Sequence, residues 1–366
     1  MKEKIKILFL IQIPPPYHGA SLRNSELYES INNRKEFETR LIPMFFTKNI
    51  DELSFFSLKK VIISLKICLK LIHETRTFKP HIVFFSFSPN KWAFLRDLLF
   101  VEILKFFPVK KVFIIREQVK KSPIKQKIFS SISNNSTIIA LSHNNKKMLE
   151  KNGFRNVIVI NNGLKIEVNQ EDLGRKRKNS TTTILFLSNL SKEKGVYVFL
   201  ESLSILKNKG FTFKAEIVGA SININKKELL ENIKTLKIED RVFYHSFANR
   251  EKRYKFYLKS DIFVLPSLKE TFPGVILEAM QCALPVISTK EGGIPDIVVD
   301  RETGFLVEKG NPSVLAEKIE ILLKNKNLAK KMGKKGRERF LKNFTFEKME
   351  EDFVKLFYSL VENDEN

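Results

Sequence analysis

Short apolar runs alternate with helical patterns through most of this chain, and that alternation restricts the fold more than any other feature. In the first half, candidate strands include Ile5–Ile11, Ile82–Ser86 and Val112–Ile115. Helical stretches such as Ser21–Ile31 and Leu58–Glu74 separate them. Strands that are apolar on both faces and joined through helices are typical of a parallel sheet covered on both sides. The sequence therefore predicts an α/β protein built from parallel sheets.

The same pattern restarts after a polar stretch, which predicts two domains. A chain of 366 residues is long enough for two domains of ordinary size. We expect two doubly wound, Rossmann-like domains that face a cleft. The predicted divisions are residues 1–165 for the first domain, 166–182 for a linker, 183–342 for the second domain, and 343–366 for a C-terminal amphipathic helix that packs back toward the first domain.

Charge is distributed unevenly between the two halves. Residues 1–180 hold 33 Lys and Arg against 15 Asp and Glu, a net charge of +18, and the rest contribute +5 to the total of +23. A strongly basic half favours contact with a polyanion, and an anionic membrane surface is a better candidate than nucleic acid. A genome whose codons favour Lys, Ile, Asn and Phe also explains the charge, so both interpretations stay open.

Other features exclude several classes of protein. The start, MKEKIKILFLIQI, combines charges with an apolar run but lacks a clear cleavage site, so we interpret it as the first strand. No stretch approaches roughly 18 uninterrupted apolar residues. Cys68 and Cys282 are too few for a disulfide framework, and no Cys/His cluster has metal-ligand spacing. We expect a cytoplasmic protein without structural zinc, peripheral on the inner face of the membrane if the basic half binds lipid.

Residues 267–288, SLKETFPGVILEAMQCALPVIS, carry the strongest chemical signal. Thr271 suits a helix cap and Pro273 suits the first turn, so they predict a helix from Gly274 to Ala283. The N–H groups and partial positive charge at a helix N-terminus attract phosphate. This segment therefore predicts a binding site for an anion.

Two glutamates, Glu270 and Glu278, flank the predicted helix start. Eight residue steps along a helix span about 12 Å, which suits a carboxylate at each end of a sugar diphosphate. Carboxylates accept strong hydrogen bonds from sugar hydroxyls. We therefore expect the ligand to be rich in hydroxyl groups as well as anionic.

Several motifs occur in one order: PYHGAS after the first strand, SNLSKEKG early in the second half, the two-glutamate segment, and EGGIPDIV. This order resembles the group 1 glycosyltransferases (family 4), which have the GT-B architecture and retain anomeric configuration. The resemblance covers nearly the whole chain and is strongest from Ile184 to Val307. It implies transfer of a hexosyl-type sugar from a nucleoside-diphosphate donor, without a metal cofactor. The acceptor would be a glycan or lipid-linked precursor of a surface polysaccharide, bound by the first domain.

The resemblance also implies roles for individual residues. Glu270 would hydrogen-bond the donor sugar, and Glu278 would bind the ribose hydroxyls. Lys194 would contact the diphosphate, and Gly19 would lie in a flexible loop that closes on the phosphates. The candidate catalytic residues are Glu270, Lys194 and Arg116, and the candidate donor-binding residues are Gly19, Ser188, Asn189, Lys194, Glu270, Phe272, Gly274, Val275 and Glu278.

Two positions depart from the family pattern. Ser188 and Asn189 stand where many relatives have Gly-Arg, so a phosphate-binding arginine is missing there. Either Lys194 suffices for the phosphates, or Lys192 or Arg116 helps, and these alternatives stay open. Arg116 and Glu117 stand where many relatives have a histidine beside the donor sugar, and whether either replaces it also stays open. These departures keep two alternatives in view: another GT-B reaction, such as that of an epimerase or phosphorylase, and a non-catalytic protein that binds polyanions.

Overall fold

The chain divides into two compact units. The computed structural model describes residues 3–17, 19–46, 57–119, 122–174, 181–246 and 250–362. One unit comprises Met1–Asn162 with Glu347–Asn366, and the other comprises Gly163–Phe346. Residues 175–180 of the predicted linker lie outside the described residues, and its described part contains a short helix, Gln170–Gly174.

The first unit is a parallel sheet with helices between its strands. Its strands follow the order β2-β1-β3-β4-β5-β6, and all neighbours are parallel. The strands are β1 Ile5–Ile11, β2 Phe37–Pro43, β3 Ile82–Ser86, β4 Lys110–Ile115, β5 Ser136–Ala140 and β6 Val157–Val159. The helices are α1 Gly19–Asn32, α2 Leu58–Phe78, α3 Lys91–Lys105, α4 Pro123–Ser133 and α5 His143–Lys151.

Apolar strand sequences place this sheet in the centre of the first unit. Residues 7–11 of β1 are all fully buried, as are the first four residues of β3. Removing these side chains from water is the main stabilising contribution to such a layer. The chain winds outward from β1 to β2 and then returns past β1 to β3, so the winding reverses between β1 and β3. A crevice forms at the carboxyl ends of the strands at such a reversal.

The last helix, α14 (Phe346–Glu362), packs on the first unit. The ring of Phe357 lies 6.1 Å from the ring of Phe37, and the ring of Phe353 lies 5.6 Å from that of Phe84. Both helix residues are buried. The last helix of the chain therefore completes the hydrophobic core of the unit that contains the first strand.

The second unit is also a parallel sheet, with strand order β12-β11-β10-β7-β8-β9. Its strands are β7 Thr183–Leu187, β8 Lys214–Val218, β9 Val242–His245, β10 Ile262–Leu265, β11 Val286–Thr289 and β12 Gly304–Val307. Its helices are α6 Gln170–Gly174, α7 Val196–Asn208, α8 Lys226–Thr235, α9 Arg250–Lys259, α10 Gly274–Gln281, α11 Ile294–Ile297, α12 Pro312–Lys324 and α13 Lys326–Asn343. The predicted α/β class with parallel sheets is confirmed in both units.

Some element boundaries differ from the sequence prediction. The sequence pattern alone predicts a strand over Arg40–Met44, but β2 begins at Phe37, because Phe37 pairs with Ile5 and is buried. Helices α4 and α9 were not predicted. Six of the ten residues of α9 are charged, so it lacks the apolar stripe that would reveal a helix. In the described part of the chain, no helix is both long and apolar enough to cross a membrane.

Candidate functional site

The segment with the two glutamates is buried in the second unit. It follows β10, and only 9% of Glu270, 8% of Phe272 and 9% of Glu278 is exposed. Helix α10 begins at Gly274, as expected, but it ends two residues earlier than predicted, at Gln281. Buried carboxylates need specific partners, because burial disfavours an isolated charge.

The start of α10 differs from the predicted capping arrangement. Pro273 is the N-cap residue, with an extended backbone, and no side chain among the described residues caps the helix. Thr271 therefore does not cap it, and Pro273 is not in its first turn. Glu270 lies on the extended segment before the helix, so the expected separation of eight helical steps between the glutamates is wrong. The positive end of α10, at Gly274 and Val275, has no side-chain acceptor.

An ion pair joins two predicted site residues that lie far apart in the sequence. Lys194 Nζ donates a hydrogen bond to Glu270 Oε2 at 2.6 Å. The side chains are 25% and 9% exposed, so the pair is largely shielded but one partner still reaches solvent. Glu270 Oε1 accepts a hydrogen bond from the Thr271 N–H at 3.0 Å. Both carboxylate oxygens are thus engaged, which fixes the orientation of the group.

A tight turn positions Lys194. Residues 192–194 form one turn of 3-10 helix, and Gly195 ends it with φ of +76°. A Cβ at Gly195 would lie 2.0 Å from the carbonyl oxygen of Pro266, so only glycine fits. The N–H of Leu268 donates to the carbonyl oxygen of Glu193 at 2.7 Å. The turn and the loop after β10 are therefore joined by close backbone contact.

A second glycine turn supports Glu270. Gly292 has φ of +53°, and a Cβ there would lie 2.1 Å from the carbonyl oxygen of Glu270. The N–H of Gly293 donates to the carbonyl oxygen of Thr271 at 2.7 Å. The EGGIPDIV motif thus acts through the backbone: it holds the segment that carries the Glu270 carboxylate.

Glu278 is held by two residues of α9 that sequence reasoning missed. The hydroxyl of Tyr257 donates to Glu278 Oε2 at 3.0 Å, and Arg253 Nη1 lies 3.4 Å from Glu278 Oε1. Burial and the neighbouring Glu278 charge raise the pKa of the Tyr257 phenol well above its ordinary value. The spacing of Tyr254 and Tyr257, one helical turn apart, was the available signal for a buried face of this helix.

Ser188 and Asn189 follow the carboxyl end of β7. Ser188 is buried, and its N–H donates to the carbonyl oxygen of Val218 at 3.1 Å, whereas Asn189 is exposed. A Cβ at Gly219 would lie 1.8 Å from the carbonyl oxygen of Ser188. The backbone of Ser188 is therefore tightly packed, and Asn189 presents its side chain to solvent.

Gly19, a candidate of the first unit, is the first residue of α1. The expectation that it belongs to a loop is therefore wrong, because the helix starts two residues before the predicted Ser21. A Cβ at Gly19 would meet no atom within 4 Å. Packing within the unit thus gives no reason for a glycine at this position.

Arg116 follows the carboxyl end of β4 in the first unit. Its Nη1 donates to Asn162 Oδ1 at 2.6 Å, and its Nη2 donates to Asn24 Oδ1 at 3.1 Å. Burial, together with the like charge of Arg23, lowers the pKa of the Arg116 guanidinium to about 9. Glu117 turns elsewhere and accepts hydrogen bonds from two neighbouring side chains, Ser88 and Asn90. Arg116 and Glu117, which stand where many group 1 glycosyltransferases have a histidine, therefore have different environments.

The structure thus brings Lys194, Glu270 and the start of α10 together in the second unit and places Gly19 and Arg116 in the first. In the described ranges no three His, Cys, Asp or Glu residues are grouped so that they could hold a metal ion. The second unit can oppose a diphosphate with Lys194 and a helix N-terminus, and can hydrogen-bond hydroxyl groups through Glu270 and Glu278.

Comparison with known proteins supports this assignment of the second unit. Residues 168–339 match the family model described as "Glycosyl transferases group 1". The chain is 29% identical to the capsular polysaccharide biosynthesis glycosyltransferase CapM of Staphylococcus aureus, over 56% of this chain and 54% of that protein. Matches to three curated relatives span 36%, 54% and 62% of those proteins' own lengths.

Solved structures share the fold over almost the whole chain. A glycosyltransferase from Rickettsia africae superposes with a TM-score of 0.79 at 22% identity, covering 98% of this chain and 99% of that one. HepE from Anabaena, in complex with UDP and glucose, superposes with a TM-score of 0.74 at 19% identity, covering 97% of this chain and all (100%) of that one. The fold is therefore the GT-B architecture, and residues 168–339 are similar to the group 1 glycosyltransferases.

Proposed function

We propose that this protein is a retaining glycosyltransferase. It moves a hexosyl-type sugar from a nucleoside-diphosphate donor to a hydroxyl of a lipid-linked or surface polysaccharide precursor. The observation that carries the proposal is the ion pair of Lys194 and Glu270 in the domain that matches group 1. The UDP complex of HepE and the role of CapM in capsular polysaccharide biosynthesis support the donor and acceptor classes. Retention of configuration rests on the family resemblance.

Donor binding follows from the charges of the second unit. Lys194 and the uncapped start of α10 supply positive charge for the diphosphate. Glu270 accepts hydrogen bonds from the sugar hydroxyls, and Glu278 does so from the ribose hydroxyls. Lys194 pairs with Glu270, so the ammonium group lies beside the carboxylate that we assign to the donor sugar and meets the phosphates from there.

In the transfer step, the main contribution of the protein is to position the two substrates and to stabilise charge, rather than to supply a nucleophile. The bond between C1 of the sugar and the phosphate oxygen breaks, and its electron pair stays on the departing nucleoside diphosphate. The acceptor oxygen forms the new bond to C1 on the same face, and its proton passes to the departing phosphate oxygen. Lys194 and the α10 N–H groups stabilise the negative charge that grows on the leaving group. Gly19 allows close approach of backbone to the phosphates.

The first unit has a surface suited to a membrane that carries the acceptor. Leu58, Ile62, Leu65 and Leu69 of α2 are each more than half exposed and recur at intervals of three and four residues. They therefore form one apolar stripe along the helix. Exposed lysines lie beside the stripe, at positions 59, 66 and 70. This pattern is typical of helices that lie in the interface of an anionic bilayer, and it supports our proposal that the enzyme works on the inner face of the membrane with donor supplied from the cytoplasm.

Vesicle sedimentation tests the membrane part of the proposal. We expect the protein to sediment with phosphatidylglycerol vesicles at low salt and Leu65→Glu to weaken that binding. Leu230→Glu, at a partly exposed leucine of α8 in the second unit, is the matched control and should bind like the parent protein. Equal binding by the Leu65→Glu variant would exclude α2 as the contact.

A donor screen tests the enzymatic part. Release of free nucleoside diphosphate from a panel of nucleotide sugars is measured with and without a membrane extract as acceptor, and the product anomer is assigned by NMR. We expect acceptor-dependent release that Glu270→Ala abolishes while the fold survives. Glu308→Ala removes a surface ion pair of the same length, Lys290 to Glu308 at 2.6 Å, and should remain active.

The same screen separates the alternatives. Conversion of the donor without an acceptor would indicate an epimerase, and phosphate-dependent release would indicate a phosphorylase. Calorimetry that finds no binding of any nucleoside diphosphate would instead favour a non-catalytic polyanion-binding protein. An inverted product would refute retention alone and leave glycosyl transfer standing.

A further inference from the structure

Among the residues that the structure describes, no carboxylate pairs with the guanidinium of Arg116. Its two hydrogen-bond acceptors are the neutral amide oxygens of Asn162 and Asn24, at 2.6 and 3.1 Å. Its Nε is buried and has no acceptor within the described part of the chain. A guanidinium offers five N–H donors in a planar fork, so this group retains unused capacity for an oxygen ligand.

The charged groups around Arg116 do not neutralise it. Arg23 is near enough to lower its pKa, which is the effect of a like charge. Glu26 is paired with Arg23, at 2.5 Å, and Glu117 bonds to Ser88. Neither carboxylate therefore forms an ion pair with Arg116. Removing a charge from water without an ionic partner is costly.

The position of Arg116 in the fold suits a ligand. It follows β4 at the carboxyl edge of the first sheet, and its partner Asn24 lies on α1, which follows β1. The winding of the chain reverses between β1 and β3, and doubly wound sheets bind ligands outside the carboxyl ends of the strands at that point. An arginine with an unused donor at such an edge is typical of a site that binds an anion.

We propose that Arg116, Asn24 and Asn162 bind an anionic group, a carboxylate or a phosphate, that the acceptor carries. This proposal rests on the proposed function in one respect: it requires that the protein binds an acceptor. It adds that the acceptor is negatively charged near the reacting hydroxyl, and that Arg116 selects it through paired N–H donors.

Thermal unfolding with inorganic phosphate as the probe tests the anion site without any assay of activity. We expect saturating phosphate to raise the Tm of the parent protein by about 2 °C or more. Arg116→Met should lose this rise, and its own Tm without phosphate should equal or exceed that of the parent, because an unpaired buried charge is removed. Arg116→Lys, which keeps the charge, should retain part of the rise.

Arg96→Met is the matched control in the same unit. Arg96 pairs with the buried carboxylate of Asp97, so this variant should lower the Tm but keep the phosphate-dependent rise. A drop in Tm for Arg116→Met as large as that for Arg96→Met, or no phosphate effect on the parent protein, would overturn the proposal.

A second arm uses UDP in place of phosphate. We expect Arg116→Met to keep the UDP-dependent rise in Tm, because donor phosphates bind the second unit. If Arg116→Met lost both the phosphate-dependent and the UDP-dependent rise in Tm, Arg116 would be assigned to the donor diphosphate and its role in acceptor binding would be overturned. Absence of any glycosyl transfer would refute the proposed function but would leave the phosphate result as direct evidence on the anion site.

Discussion

Lys194 Nζ lies 2.6 Å from Glu270 Oε2, although the two residues are 76 positions apart in the sequence. The carboxylate is buried and the ammonium group is partly exposed, so the pair has one fixed and one movable partner. A ligand that offers hydroxyls to the carboxylate and phosphate to the ammonium can replace this single contact with several. The ion pair thus holds an anionic and a cationic group side by side, the arrangement that our proposed sugar-diphosphate donor requires.

Lys194→Met should lower kcat/KM by about 100-fold or more, because charge on the leaving group loses its nearest ammonium. Steady-state release of nucleoside diphosphate measures the effect. Lys290→Met, which breaks the exposed pair with Glu308, should change kcat/KM little. Near-parent activity of the Lys194 variant would mean that another group, such as Lys192, meets the phosphates.

Tyr257→Phe should weaken donor binding with little effect on kcat. The hydroxyl donates to Glu278 Oε2, so its loss frees the carboxylate that we assign to the ribose. We expect KM for the donor to rise several-fold and the free energy of unfolding to fall by about 1 kcal/mol. Tyr197→Phe removes a similar hydroxyl–carboxylate bond, to Glu228 at 2.6 Å, and should leave KM unchanged. Equal KM values for the two variants would place Glu278 outside the donor site.

Gly292→Ala should reduce transfer at least tenfold, because its Cβ would lie 2.1 Å from the carbonyl oxygen of Glu270 and displace that segment. Gly210→Ala is the control: Gly210 also has positive φ, of +83°, but a Cβ there meets nothing within 4 Å. The control should lose about 1 kcal/mol of stability and keep its kcat. Full activity of Gly292→Ala would show that the turn does not position Glu270.

Asp97→Asn should remove a pH dependence of stability. Burial raises the pKa of Asp97 from 3.8 to about 6. Because the pKa is higher in the folded state, the Asp97 carboxyl stabilises the fold fully below about pH 4. This contribution to the free energy of unfolding is lost as the pH rises through about 6. The shift in the pKa of Asp97 between the unfolded and folded states corresponds to about 3 kcal/mol in the free energy of unfolding.

Urea denaturation of the parent and the Asp97→Asn variant between pH 4.5 and 7.5 measures this effect. The free energy of unfolding of the parent should fall relative to that of the variant as the pH rises. Parallel curves for the two proteins would show that Asp97 does not titrate in this range.

The local sequence pattern was sufficient to predict the central strands and the chemical character of the segment that carries Glu270 and Glu278. Ile5–Ile11 and Ile82–Ser86 are apolar on both faces, a property that central parallel strands require and that short-range sequence displays directly. Glu270 and Glu278 were recognised because they surround a helix start with a distinctive composition. Helix α9 was missed because six of its ten residues are charged, and its buried Tyr257 is recognisable as a site residue only once Glu278 lies beside it.

Sequence by itself determined the α/β class, the two-unit organisation and the residue types that suit a sugar diphosphate, because strand and helix periodicities and short motifs are local properties of a chain. Tertiary structure alone decided that Lys194 pairs with Glu270, that Gly292 supports the same segment, and that the described partners of Arg116 are neutral amides. Each of these depends on residues brought together by the crossovers of a parallel sheet, where contacts form between strands that are distant along the chain.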